Sequence, residues 1–304
     1  MTVTDSTYSL FPTLEDWRLS GHAFGHKGYG VFYQTGGIDS SEALVCLHGF
    51  PTSSWDWNRL WPHLCARWRV MAFDMIGYGL SDKPHKYDYS LADQADICEE
   101  LLRALNVTRV HIIAHDVGDS VAQELLARDA ERIDGGENRL AIQSVCLLNG
   151  GLFPETHRPT LIQRVLASRL GFLAAKLMTE RRFAASFAAV FGADTKPSAA
   201  ELHEFWSLIA FNRGERIAHK LIGYMEERRQ NRERWVGALH SNVPLLVVNG
   251  PDDPVSGAHM VARLRDEVPS VRVVTLPGIG HYPQIEDADA VLRAYVEFRD
   301  NSAR

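Results

Sequence analysis

Apolar positions fall along this chain in two alternating rhythms. Short, nearly unbroken apolar runs occur at 43–47 (ALVCL), 69–73 (RVMAF), 109–114 (RVHIIA), 143–148 (QSVCLL), 243–248 (VPLLVV) and 271–276 (VRVVTL). Runs of this kind, rich in β-branched residues, suit parallel strands buried on both faces. Helical periodicity separates them at about 56–67, 91–105, 118–130, 257–268 and 284–300. The alternation predicts an α/β protein with a mostly parallel, doubly wound sheet. Near the N-terminus, LSGHAFGHKGYGVFYQTGG predicts an added antiparallel hairpin.

The alternation breaks between 151 and 237. That stretch is helical in period, is dominated by Ala, Leu, Arg and Glu, and holds no convincing strand. The strand pattern resumes at Val243. The pattern therefore predicts a core of 1–150 and 238–304 interrupted by a helical cap of 151–237. In such sheets the ligand sits at the C-terminal ends of the strands, where a cap would roof the crevice.

Composition changes this picture little. The chain has 304 residues, 45% of them hydrophobic and 23% charged, with a formal net charge of −6. That gives no electrostatic case for nucleic acid or an anionic membrane as partner. Cys46, Cys65, Cys98 and Cys146 show no C-x-x-C spacing, so neither a zinc site nor a redox motif is expected. Cys46 and Cys146 lie in strand runs and read as core thiols, which suits a reducing, cytoplasmic setting. The segment MTVTDSTYSLFPTLEDW lacks the basic and apolar regions of a signal peptide. No stretch is apolar enough for a transmembrane helix.

The chemistry centres on IIAHDVGDSVAQELL, 112–126, which reads as strand, tight turn and helix. This is the frame of a nucleophile elbow, where small residues flank the nucleophile two places to either side. Asp116 has Ala114 and Gly118 in those places. Ser120 comes about a helical turn too late and reads as a packed helix residue. Register therefore selects Asp116, whose bland role would be helix N-cap. His115 reads as a structural neighbour. A nucleophile of this type is followed in the chain by an acid and then a histidine. Asp252 and Asp253 follow the strand LLVV, and His281 follows VRVVTL in a Gly-rich loop. His281 is the candidate base, and Asp253, with Asp252 as its rival, the acid that orients it. His48-Gly49-Phe50-Pro51 follows the first core strand. It matches a loop that lends a backbone N–H to an oxyanion hole, here from Phe50, with Val117 as the second donor.

These motifs, with Asp74-Met75-Ile76-Gly77-Tyr78-Gly79-Leu80-Ser81-Asp82-Lys83-Pro84, resemble the α/β-hydrolase fold. Within it they resemble the epoxide hydrolase and haloalkane dehalogenase branch, whose nucleophile is aspartate. A further resemblance runs through the cap. Asn149-Gly150-Gly151-Leu152-Phe153-Pro154-Glu155-Thr156-His157-Arg158-Pro159 and Arg234-Trp235-Val236-Gly237-Ala238-Leu239 are similar to the family of the mesoderm-specific transcript protein and its bacterial relatives. The resemblance implies a two-step reaction. Asp116 forms an alkyl-enzyme ester, and water activated by His281 hydrolyses it, with no metal or organic cofactor.

The leaving group separates the branches. Dehalogenases usually place Trp after the nucleophile and often Asn after His-Gly, where this chain has Val117 and Phe50. Epoxide hydrolases usually use two cap tyrosines as proton donors, and this cap offers Tyr224 alone. Hydrolysis of small to medium apolar epoxides is thus the expected activity, ahead of dehalogenation or another hydrolysis. A catalytically idle ligand-binding protein is the reading from another class. Tyr224, Trp206, Asn149 and Phe153 are the expected substrate-binding residues, with Arg158, His157 and Tyr282 as further residues within possible reach. The basic stretch EERRQNRER, 226–234, reads as a solvated helix face because acids are interleaved with the bases. Oligomeric state, monomer or homodimer, is not readable.

Overall fold

The computed structural model describes residues 12–136 and 140–302. The first residues of the segment read for a leader lie outside these. Among the described residues one sheet holds eight strands: β1 (His22–His26), β2 (Tyr29–Gly36), β3 (Glu42–Leu47), β4 (Val70–Phe73), β5 (Arg109–His115), β6 (Ala141–Leu148), β7 (Leu245–Asn249) and β8 (Arg272–Thr275). Their spatial order is β1-β2-β4-β3-β5-β6-β7-β8. β1 and β2 form the expected antiparallel hairpin, and β2 joins β4 antiparallel. All other pairings are parallel.

Side chains alternate between faces along each strand. Val45, Leu47, Ile112, Ala114, Val145 and Leu147 point to one core, with the helices Leu91–Ala104 and Val117–Asp134. Leu44, Cys46, Ile113, Cys146, Leu148 and Val248 point to the other, where Trp57, Leu64, Tyr295 and Phe298 cover them. Both faces are apolar, which is why these strands read as continuous hydrophobic runs. Cys46 and Cys146 are buried free thiols, as their place in the runs predicts.

Two helices differ from the periodic reading. The stretch 56–67 splits into a 3₁₀ turn at Ser54–Trp57 and a helix at Trp61–Cys65, with Pro62 in the first turn of the second. Proline lacks the N–H that would continue a helix from behind. The stretch 284–300 divides at Asp287, which has φ −143° and ψ 70°. Strand β7 begins at Leu245 rather than Val243, because Pro244 has no N–H to give to the ladder.

Between β6 and β7 the chain is helical, in seven short α-helices from Leu161–Leu166 to Arg232–Ala238 and a 3₁₀ stretch at Phe211–Ile217. This inserted cap packs on the core through an aromatic cluster that joins Phe183, Phe187, Phe191 and Phe205 of the cap to Trp17, Trp55 and Tyr282. Among the described residues no helix is long and apolar enough to cross a membrane.

Candidate active site

Strand β5 ends at His115, and the helix Val117–Asp134 starts two residues on. Asp116 makes the turn alone, at φ 48° and ψ −104°. A non-glycine residue seldom holds positive φ, and such strain persists only where the surroundings fix it. Here its N–H bonds to Leu148 O at 3.2 Å. The small neighbours have a visible cause. A Cβ on Gly118 would lie 2.4 Å from Leu47 O and 2.7 Å from His48 O, and one on Gly49 would lie 2.8 Å from Asp116 Cβ.

The fold brings the sequence candidates together. Asp116 Oδ2 accepts the N–H of Phe50 at 3.1 Å and lies 4.0 Å from His281 Nε2. On the other side of the ring, His281 Nδ1 is 2.7 Å from Asp253 Oδ2. Val117 is the first residue of its helix, so its N–H has no acceptor within that helix. Asp252 is exposed and turned away, so Asp253 alone of the two reaches the imidazole. Asp253 is buried and also accepts the N–H groups of Val255 and Ser256 at 2.7 and 3.0 Å. Burial alone would raise its pKa, but His281 and then the Asn149 amide and the Val255 N–H hold it below the usual carboxylate value. Burial likewise opposes charge on His281, yet Asp253 and then Asp116 lift the imidazole to about 9.

The neighbouring histidines are structural. His115 Nε2 donates to His281 O at 2.7 Å, and burial pushes its pKa down to about 3. His48 uses both nitrogens on the main chain: Nδ1 donates to Gly49 O at 2.9 Å and Nε2 accepts from Met75 N at 3.0 Å. Glu286 secures the histidine loop. Its carboxylate accepts the N–H groups of Gly280 and Tyr282, and also Gly192 N and the Thr195 hydroxyl from the cap.

Against the site lies a cavity of about 270 Å³, which His281 and Phe50 line and Asp116 does not. Phe50, His281 and Tyr282 form part of its floor, and its walls are apolar cap residues such as Leu166, Met178, Phe183 and Phe187. None of the four expected substrate-binding residues, Tyr224 included, lines the cavity. Trp206 packs its ring on Phe183, 5.8 Å between centroids, and does not line the cavity. Phe153 is fully buried beneath the Arg263 guanidinium, in the core rather than the roof. Asn149 is fully buried too. Its amide donates to Asp253 Oδ2 and Gly250 O at 3.0 Å, and its oxygen accepts Gly250 N at 2.8 Å. Asn149 therefore orients the acid, not a substrate.

Tyr224 is buried beside Phe50, with ring centroids 5.8 Å apart. Its hydroxyl accepts from Gln163 Nε2 at 3.1 Å. The direction of that bond is fixed, because Gln163 Oε1 is already held by Thr160 N at 2.7 Å in a capping box. The phenolic proton of Tyr224 is therefore left to donate. Burial raises the Tyr224 pKa and keeps that proton in place.

Arg228 was not singled out by the sequence, and its setting departs from the reading of 226–234 as a solvated face, which holds for Glu226, Arg229, Gln230 and Glu233. It is 2% exposed. Its Nη2 lies 3.3 Å from Asp116 Oδ1 and 2.8 Å from Asp116 O, and its Nε donates to Ser120 Oγ at 2.7 Å. The guanidinium also stands over the Tyr224 ring, 4.6 Å from its centroid. Burial would raise the Asp116 pKa, but Arg228 first and His281 next keep it below the usual value. Its neighbours in the stretch are also engaged. Glu227 accepts Leu91 N at 2.8 Å, at the start of a core helix, and Arg234 Nε pairs with Glu124 at 2.8 Å. Next to Arg228, both ring nitrogens of His157 are buried without a hydrogen-bond partner, and burial pushes its pKa to about 4.

A strained acid at a strand-to-helix turn, an acid-held histidine at a later strand end and an inserted cap define a class. The chain belongs to the alpha/beta hydrolase fold family, whose sequence pattern matches residues 42–288. Its relatives include the mesoderm-specific transcript protein of Mus musculus, 43% identical over 299 residues that cover 95% of this chain and 88% of the relative. LipZ of Mycobacterium tuberculosis is 39% identical over 285 residues, 93% of this chain and 96% of that one. Among solved structures, haloalkane dehalogenase DbeA from Bradyrhizobium elkani superposes with a TM-score of 0.76 at 21% identity, over 93% of this chain and 98% of that chain. At that identity the likeness is one of fold.

Proposed function

We propose that this α/β-hydrolase family member is an epoxide hydrolase that works through an ester on Asp116. The observation that carries the reading is the position of Asp116 between the Phe50 N–H at 3.1 Å and His281 Nε2 at 4.0 Å, with the Tyr224 ring packed against Phe50 and Arg228 and its phenolic proton free to donate.

The Asp116 carboxylate attacks a ring carbon. The ring C–O bond breaks, its electron pair stays on oxygen, and that oxygen takes the Tyr224 proton. Neutral His281 then removes a proton from water, which attacks the Asp116 ester carbonyl. The N–H groups of Phe50 and Val117 hold the oxyanion. Collapse expels the diol oxygen, which takes the proton from His281; the second water proton is left on the Asp116 carboxyl, which ionises again as the Tyr224 phenolate is reprotonated. A serine hydroxyl would need the histidine for its own activation. An ionised aspartate does not, and Arg228 supports that ionisation. The Ser120 hydroxyl is occupied as acceptor for Arg228, which weighs against it as a nucleophile. The apolar cavity suits a small apolar substrate.

The test uses His281→Gln, which should form the ester and fail to hydrolyse it. After incubation with pooled epoxides and haloalkanes, the intact mass should rise by that of a whole epoxide, mapped to Asp116. An adduct lacking halide would point to dehalogenation, and an adduct on Ser120 would overturn the nucleophile. No adduct from any probe would favour the ligand-binding reading.

A further inference from the structure

The cap presents a surface unlike the rest of the molecule. Of the nine large hydrophobic side chains exposed among the described residues, six fall between 161 and 177: Leu161, Val165, Leu170, Phe172, Leu173 and Leu177. Five cations are interleaved with them or follow directly, namely Arg164, Arg169, Lys176, Arg181 and Arg182, and all are exposed. None of the five is ion-paired among the described residues. The one acid in 161–182, Glu180, is taken by His203 at 2.7 Å. Several arginines elsewhere in the chain are ion-paired, among them Arg128, Arg132, Arg232 and Arg234. Five unpaired cations around an apolar patch are the more pointed in a chain whose formal net charge is −6.

The patch is continuous with the cavity. Leu177 is 62% exposed and also lines the cavity wall, together with Ile162, Leu166, Ala174, Met178 and Arg182 of the same stretch. An apolar patch concentrated in this way marks a docking surface. Leucine and phenylalanine flanked by arginine and lysine suit the headgroup boundary of a bilayer, where the apolar groups enter the acyl region and the cations meet anionic lipid. A second copy fits poorly. A two-fold interface sets a patch against itself, and here that would oppose five cations to five.

We infer that this face of the cap docks on an anionic lipid bilayer, and that the cavity takes an apolar substrate from the membrane rather than from water. Net charge alone gave no case for a membrane partner; the local distribution of charge does. The docking does not depend on the chemistry at Asp116.

The experiment is flotation of the full-length protein with vesicles of phosphatidylcholine alone and of phosphatidylcholine with one part in three phosphatidylglycerol. Arg164→Glu/Arg169→Glu/Lys176→Glu and Phe172→Ser/Leu173→Ser are run beside it, with circular dichroism to verify folding. These positions are exposed, so both variants should fold. The expected result is binding to the anionic vesicles that falls about tenfold or more without phosphatidylglycerol, at high salt, and in each variant. Absence of flotation with anionic vesicles overturns the inference, and so does binding that neither variant weakens. A dimer by light scattering that Phe172→Ser/Leu173→Ser dissociates, without vesicle binding, would assign the face to a second copy instead.

Discussion

Arg228, on a cap helix, places its Nη2 3.3 Å from Oδ1 of Asp116, at the turn from β5 into the helix Val117–Asp134. Both side chains are nearly inaccessible, at 2% and 3%. Removing one partner of a buried pair strands the other charge. Arg228→Met should therefore lose about 3–5 kcal/mol in urea unfolding. Adding Asp116→Asn should restore part of it, since the double variant buries no unpaired charge. A single variant as stable as the parent would deny the pair its part in the structure.

Tyr224→Phe removes one proton and little else. In the His281→Gln background, ester formation from an epoxide should slow by about 10²–10⁴. Stability should fall by about 1–3 kcal/mol, since the buried Gln163 amide is left without its acceptor. Unchanged ester formation would mean that the ring oxygen is protonated from elsewhere.

The pKa of His281, lifted to about 9 from 6.5, ties stability to pH. A group raised on folding contributes stability that is fully present below its unfolded pKa and lost as pH passes its folded one. Stability in urea should thus decline from about pH 6.5 towards pH 9, and His281→Gln should flatten that decline. Catalysis runs the opposite way, because the water-activating imidazole must be neutral. Single-turnover ester hydrolysis should rise with pH. Its midpoint should lie below about 9, since esterified Asp116 no longer adds its charge to the support of the imidazolium. A midpoint above that value would exclude His281 as the base.

Gly118→Ala forces a methyl against Leu47 O and His48 O and should cost about 1–3 kcal/mol. Gly237→Ala, with nothing within 4 Å of the new Cβ and a helical backbone, should be neutral or gain up to about 1 kcal/mol. Thermal melts of the two would compare them directly. Equal effects would remove close packing as the reason for glycine at the elbow.

The strands and the elbow were legible because each rests on local pattern. Unbroken apolar runs mean two covered faces, and small residues around Asp116 mean close backbones. His281 and Asp253 were legible as loop residues just beyond strand ends. Arg228 was hidden by composition, since a run of alternating charges reads as solvated. One signal was available. Arg228 lies four residues from Tyr224, so on a helix the two share a face, and both are buried in Tyr224–Gln230. Asn149 and Trp206 failed for a different reason. Asn149 follows a strand end and Trp206 lies in the cap, so each is of a type and in a region that could meet a substrate, but whether a side chain faces a cavity or a neighbouring loop is decided by tertiary packing. Likewise, the capping box at Thr160 is readable, whereas its use in aiming an amide at Tyr224 is not.

Glu286 gathers donors from the loop that carries His281 and from the 192–195 segment of the cap. The roof is therefore not an interchangeable part. A cap transplanted from a relative would have to bring its own equivalent of Gly192 and Thr195, or the base of the recipient would lose half its mooring. Diversification of the substrate cavity is thereby channelled into the cap helices that precede this junction, where side chains can change without touching the histidine.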